Sequence, residues 1–191
     1  MRRGAKQATP QLRVIGGQWR GRKLQFPDRP GLRPTGDRIR ETLFNWLGPH
    51  LLNAKCLDLF AGSGALGIEA LSRGAAHCDF VDADRESITT VGQHLNTLDA
   101  TECSTVSCDI AAHYLHQTND TWDIVFVDPP FDARLGESTL TLLANTERLA
   151  EASRVYFETS RSQPEPVPEG LYDVLREKTT GDVCYRLLSP R

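Results

Sequence analysis

Along the chain the spacing of apolar positions changes several times, and each change predicts an element. Leu12 to Ile15, the pair Gly16-Gly17 and an apolar and basic alternation from Arg22 to Phe26 predict a short β-hairpin. PDRPGLRPTG, punctuated by Pro and Gly, predicts a loop after it. Ile39, Leu43, Trp46 and Leu47 recur at i, i+4, i+7 and i+8, which predicts a helix capped by Thr35 or Asp37 and stopped by Gly48-Pro49. Arg38, Thr42 and Asn45 fall on another face of it. From Ala54 onward short apolar runs alternate with helical patterns. KCLDLF, CDFVDA, Cys103 to Cys108, DIVFVD and SRVYFET read as strands, and GALGIEALSRG, ESITTVGQHLNTL, Ala111 to Gln117 and LGESTLTLLANT as the helices between them. That alternation predicts a parallel α/β sheet, with DIVFVD buried on both faces. SQPEPVPEG cannot join a ladder, and LYDVLREK and VCYRLL, on either side of Thr180-Gly181-Asp182, predict a closing hairpin. Residues 1–53 thus read as a hairpin-and-helix extension and 54–191 as an α/β domain.

Composition narrows the class. With 191 residues, 39% hydrophobic and 25% charged, the chain reads as a globular domain large enough to hold a core without disulfides. Its five cysteines are odd in number and form no C-x-x-C pair, which points to free thiols in a reducing, cytoplasmic setting. No apolar run approaches about 18 residues, so neither a membrane span nor a secretory signal is expected. The net charge of −3 conceals a polarity: residues 1–40 carry +9 and the remainder −12. A basic N-terminal part suggests a polyanionic partner; a solvated basic tail is the plainer alternative. Arg13, Arg20, Arg22, Lys23, Arg33, Arg38 and Arg40 are the candidates to hold the phosphates of such a partner, which the resemblance named below makes RNA. His113 and His116 lack companion ligands, so no metal site is expected. Trp19 and Trp46 read as packing residues, although Trp19 lies among basic residues and is open to contact with a polyanionic partner.

Gly62-Ser63-Gly64-Ala65-Leu66-Gly67 sits between the first α/β strand and its helix, the context that a G-x-G-x-x-G loop requires to bind an adenosine-type cofactor. Asp82 ends the next strand, 20 residues after Gly62, where a carboxylate meets ribose hydroxyls; Asp84 is a competing carboxylate. Asp58 stands four residues before Gly62 in an otherwise apolar strand. A carboxylate there repels a pyrophosphate and attracts a cation such as S-adenosylmethionine. Its alternative role is to accept backbone hydrogen bonds at the turn.

DIVFVD runs into Asp128-Pro129-Pro130-Phe131 at the carboxyl end of its strand, facing the same crevice. An exocyclic amine of a nucleobase is a poor nucleophile because its lone pair is delocalised into the ring. Two acceptors aimed at its N–H bonds favour the pyramidal, reactive form. The Asp128 carboxylate supplies one, and the Pro129 carbonyl, fixed in direction by Pro130, supplies the other. Phe131 offers a face on which a flipped base stacks.

DPPF preceded by DLFAGSGALGIEAL resembles the class I methyltransferases that act on exocyclic amines of nucleic acids. RVIGGQWRGRKL, RPTGDRIRETLFNWL, VFVDPPF and REKTTGDVCYRLL together resemble, over about Leu12 to Leu188, the bacterial 16S rRNA (guanine(966)-N(2))-methyltransferase family. The resemblance implies a Rossmann-like, doubly wound α/β fold: a seven-stranded, mostly parallel sheet with a C-terminal antiparallel hairpin, plus the N-terminal hairpin and helix. It implies S-adenosyl-L-methionine as cofactor, its methionine end lined by Asp58, Phe60, Gly62, Ser63, Gly64 and Gly67, its ribose held by Asp82 and its adenine by Asp109 with Ile110. Asp128, Pro129, Pro130 and Phe131 are the implied catalytic group. The implied substrate is a guanosine N2 amine in 16S rRNA, presented on a small-subunit particle or assembly intermediate to a monomeric enzyme. Adenine N6 in DNA or RNA is the nearest rival target. An NAD-dependent oxidoreductase, which the glycine loop and Asp82 alone would permit, and a non-catalytic RNA-binding module are the readings from other classes.

Overall fold

The computed structural model describes residues 10–26 and 35–191. A two-stranded hairpin, β1 (Gln11–Arg13) and β2 (Lys23–Gln25), leads to α1 (Asp37–Leu51). The α/β body follows as β3 (Lys55–Asp58), α2 (Ala65–Ser72), β4 (His77–Asp82), α3 (Arg85–Thr97), β5 (Ser104–Cys108), α4 (Ala111–Gln117), β6 (Trp122–Val127), α5 (Gly136–Asn145) and β7 (Leu149–Ser160), and it closes with β8 (Tyr172–Thr180) and β9 (Val183–Pro190). The seven strands lie in the order β5-β4-β3-β6-β7-β9-β8, parallel through β7 and antiparallel thereafter. The expected doubly wound sheet and closing hairpin are both present. The order reverses between β3 and β6, which opens a crevice at their carboxyl ends.

Each sheet face has its own apolar cluster. On β6, Ile124 and Phe126 enter the cluster under α1, α2 and α3, while Val125 and Val127 enter the one under α4 and α5. The β6–β7 register is irregular between Trp122 and Ile124, and Trp122 lies in the second cluster, where its Nε1 donates to Asp79 at 2.7 Å. Leu12, Val14, Leu24 and Phe26 of the hairpin belong to the first cluster together with α1 and the sheet, so the boundary expected after residue 53 does not separate two cores. Trp46 packs on Tyr185 and Trp19 on the first cluster. Among the described residues no helix is long and apolar enough to cross a membrane.

Helix α1 departs from expectation at both ends. Its N-cap is Gly36, with no side-chain cap; Thr35 is turned elsewhere, and Asp37 pairs with Arg40 at 2.7 Å. Gly48-Pro49 does not stop it, and Pro49 lies inside the helix. The φ of proline suits a helix, both residues are exposed to water, and burial of Leu51 draws the final turn onto the core.

The hairpin is fastened to α2 by backbone. Gln18 N donates to Ser72 O at 2.7 Å and Trp19 N to Ser72 Oγ at 3.0 Å. The approach is so close that a Cβ on Gly17, whose φ is +73°, would fall 1.7 Å from Ser72 O. Beneath this joint Glu69 is fully buried. Its Oε2 accepts from Ile15 N and Arg40 Nη1, and its Oε1 from Gly16 N and Arg73 Nε. Arg40, 1% exposed, also donates to the carbonyls of Arg13 and Thr35. The expectation that Arg40 holds RNA phosphate is therefore corrected: a guanidinium enclosed by these acceptors cannot reach a phosphate without dismantling the joint.

Both Glu69 oxygens face donors, so a Glu69→Gln amide clashes with N–H groups in either orientation and leaves Arg40 undercompensated. We expect denaturant unfolding to show a loss of about 3 kcal/mol; a loss below about 1 kcal/mol would remove this joint from the account.

Candidate active site

The crevice is built from strand ends and the turns that leave them. Beyond β3, Leu59 N donates to Phe126 O and Ala61 N to Val81 O, so the glycine loop is strung between β6 and β4. Gly64 caps α2 with φ +78°, a left-handed conformation that resists a side chain. Gly67 sits one turn further along, buried in α2. A Cβ there would meet the Phe80 ring at 2.3 Å, so its bare side faces β4 and not the crevice expected of it. Its N–H donates to Oδ2 of Asp58 at 3.0 Å.

Asp58 therefore plays its alternative part, as a backbone acceptor, and retains acceptor capacity for a ligand. It is 2% exposed, and burial pushes its pKa up to about 7, with the Gly67 N–H opposing and the charges of Asp128 and Asp82 adding to the rise. Asp82 braces the loop: its Oδ2 accepts from Gly62 N and its Oδ1 from Asp84 N, each at 2.8 Å. Asp84, its competitor, is the N-cap of α3, accepting from Ser87 N and Ser87 Oγ. Asp109 follows β5, and its N–H donates to Asp82 O, which sets the backbones of the two residues expected at the nucleoside side by side. Ile110, the α4 N-cap, is 59% exposed and presents apolar surface beside it. Ser63 is buried and Phe60 half-buried. A crevice in which the charges of Asp128 and Asp82 add to the raised pKa of Asp58 suits a cationic ligand, and the αL-capped start of α2 suits an anionic group. That donor and acceptor set fits S-adenosylmethionine.

Asp128 follows β6, beside Asp58. Its Oδ2 accepts from Thr35 Oγ at 3.1 Å. Burial pushes its pKa up to about 6, and the Thr35 hydrogen bond holds it lower than burial alone would. Pro129 is buried, Pro130 exposed, and half-buried Phe131 opens a single 3-10 turn ending at Ala133.

Behind Asp128 are residues that sequence reasoning missed. Glu158 of β7, 4% exposed, accepts from Tyr156 Oη, and burial followed by the Asp128 charge pushes its pKa well above the carboxylate range. A carboxylate inside the apolar run VYFET is a signal of the kind that drew attention to Asp58. Thr35 gave none, since a threonine before a helix reads as a cap. His113 Nδ1 lies 2.7 Å from Asp109 Oδ2, so this residue holds from the next turn of α4 a carboxylate expected to meet the cofactor.

The expected RNA-contacting residues divide into groups. Arg13, Arg20, Arg22, Lys23 and Arg38 are exposed, with Arg22 Nη2 donating to Thr97 O; Arg40 is the buried exception already noted, and Arg33 lies outside the described residues.

Strand order, glycine loop and acidic crevice define a class I methyltransferase fold. The family model described as "Conserved hypothetical protein 95" matches residues 12–189, and the chain belongs to that family. It is 46% identical over 187 residues to the ribosomal RNA small subunit methyltransferase D of Escherichia coli strain K12, covering 98% of this chain and 94% of that protein. It is 42% identical over 186 residues to the Haemophilus influenzae protein of the same name, covering 94% of each. The solved yhhF structure from Escherichia coli superposes with a TM-score of 0.87 at 45% identity, covering 95% of this chain and 98% of that one.

A cationic ligand prefers ionised Asp58, whose raised pKa keeps a large fraction protonated below pH 7. Calorimetry should therefore find S-adenosylmethionine affinity rising with pH between about 5.5 and 7, by up to tenfold per unit well below the pKa. Asp58→Asn should flatten that rise; an equally steep rise in the variant would assign it to another group.

Proposed function

We propose that this chain methylates the exocyclic N2 amine of a guanosine in 16S rRNA, with S-adenosyl-L-methionine as methyl donor, yielding N2-methylguanosine and S-adenosylhomocysteine. The observation that carries the reading is the placement of Asp128-Pro129-Pro130-Phe131 beside Asp58 and the glycine loop at the β3/β6 switch point. Relatives called small-subunit rRNA methyltransferases, alike over nearly the whole chain, support the RNA target.

Asp58, Phe60, Gly62, Ser63 and Gly64 hold the methionine end of the cofactor, Asp82 the ribose, and Asp109 with Ile110 the adenine. Gly67 acts from behind by fixing Asp58. When bound, the cofactor supplies an electrophilic methyl group. The protein prepares the nucleophile: Phe131 stacks the flipped base, and Asp128 with the Pro129 carbonyl accepts the amine N–H bonds, returning lone-pair density to nitrogen. An Asp128 with pKa near 6 is largely ionised at neutral pH, and it is basic enough to take the proton from the alkylated nitrogen and pass it to water. No covalent enzyme intermediate is needed. Replacing Asp128 with Ala should cut single-turnover methyl transfer to small-subunit particles by at least about 100-fold. Transfer at the wild-type rate would dismiss the role.

The basic segment supplies the RNA grip through Arg13, Arg20, Arg22, Lys23 and Arg38, with Arg33 a further candidate. We place the enzyme in the cytoplasm, working as a monomer on an assembled or partly assembled small-subunit particle. Neutralising Arg20, Arg22 and Lys23 together should weaken RNA binding and reduce the slope of log affinity against log salt by about 2 to 3, with S-adenosylmethionine affinity unchanged. An unaltered salt slope would move the RNA surface elsewhere.

A further inference from the structure

The Thr35 side chain makes a contact that its own helix does not require. It is 8% exposed and stands before α1, whose N-cap is Gly36 and which takes no side-chain cap. Its hydroxyl instead crosses 93 residues of sequence to donate to Asp128 Oδ2. The Thr35 backbone is held in turn, because Arg40 Nε donates to its carbonyl at 3.0 Å and Arg40 is locked on Glu69 of α2. Glu69, Arg40, Thr35 and Asp128 thus form a continuous series of contacts from the cofactor helix to the proposed catalytic carboxylate.

Asp128 needs such a donor. Asp58 faces it from the end of β3 and Glu158 from β7, where Tyr156 also feels its charge. A carboxylate among carboxylates has neither a fixed rotamer nor a secure charge unless a hydrogen bond supplies both. We propose that Thr35 is a positioning residue for methyl transfer: its hydroxyl commits Oδ2 of Asp128 and so aims Oδ1 at the substrate amine. This rests on the function proposed above. It also gives the N-terminal segment a part in the chemistry, because the chain that carries the basic residues ends by orienting the acceptor.

The test uses the full-length protein with small-subunit particles that lack the modification, and compares Thr35→Val, Thr35→Ala and Thr35→Ser with Asp128→Ala. Removing the hydroxyl in the Val and Ala variants should lower kcat about tenfold or more, leaving KM for particles and Kd for S-adenosylmethionine within about twofold. The Ser variant, which keeps the donor, should stay within about threefold of wild type. The Thr35 hydrogen bond favours the charged form of Asp128, so its loss raises that pKa, and the acidic limb of the kcat profile should move to higher pH in the Val and Ala variants but not in Ser. Wild-type kcat with an unmoved acidic limb in Val and Ala would overturn the proposal, as would a Ser variant as impaired as Val. If Asp128→Ala itself kept the wild-type rate, the reading of the whole site would fall, a failure distinct from that of Thr35 alone.

Discussion

A carboxylate with no exposure to water must be satisfied by donors, and Glu69 recruits its donors from three parts of the chain. Two backbone N–H groups come from the hairpin turn, a guanidinium from α1, and a second guanidinium from the end of its own helix. Because α2 is buried along all its residues, the hairpin and α1 cannot slide over it without uncovering both charge and apolar surface. The glycine loop that starts α2, the basic hairpin and the segment reaching Asp128 thereby share one rigid reference. The hydrogen bond from Thr35 to Asp128 is tied to that joint through Arg40, whose Nε donates to the Thr35 carbonyl.

The crevice it frames is electrostatically demanding. Asp58, Asp82, Asp109, Asp128 and Glu158 converge on the carboxyl ends of neighbouring strands, and Asp58, Asp128 and Glu158 have raised pKa values. Such a site disfavours a dinucleotide pyrophosphate and welcomes positive charge, which separates this glycine loop from those of nicotinamide enzymes although the local motif is the same. Burial keeps Asp128 basic enough to accept a proton. In the proposed reaction, binding and chemistry then draw on one source, the burial of these carboxylates.

Most of the fold was legible because it rests on local periodicity. The alternation of apolar runs and amphipathic segments located every strand and helix of the α/β body, with α4 predicted over the same residues that form it. Asp58, Asp82 and Asp128 could be placed because each stands at the end of an apolar strand, where the chain must turn at the crevice; Asp109 follows the polar strand STVSC and was implied only by the family resemblance. What escaped was tertiary. Nothing in RPTGDRIR tells Arg40, which is buried on Glu69, from its exposed neighbour Arg38. Thr35 carried the signature of a cap yet serves a carboxylate far along the chain, and Gly48-Pro49 carried that of a stop, overridden by burial of Leu51. Gly67 matched a cofactor motif for a reason of packing, since the Phe80 ring occupies the space of a side chain.

Nucleoside mass spectrometry of small-subunit particles incubated with the purified protein and isotope-labelled S-adenosylmethionine tests the central claim most directly. The account predicts label in N2-methylguanosine, at one guanosine of the 16S rRNA. Label in N6-methyladenosine, or none in the RNA, would contradict it.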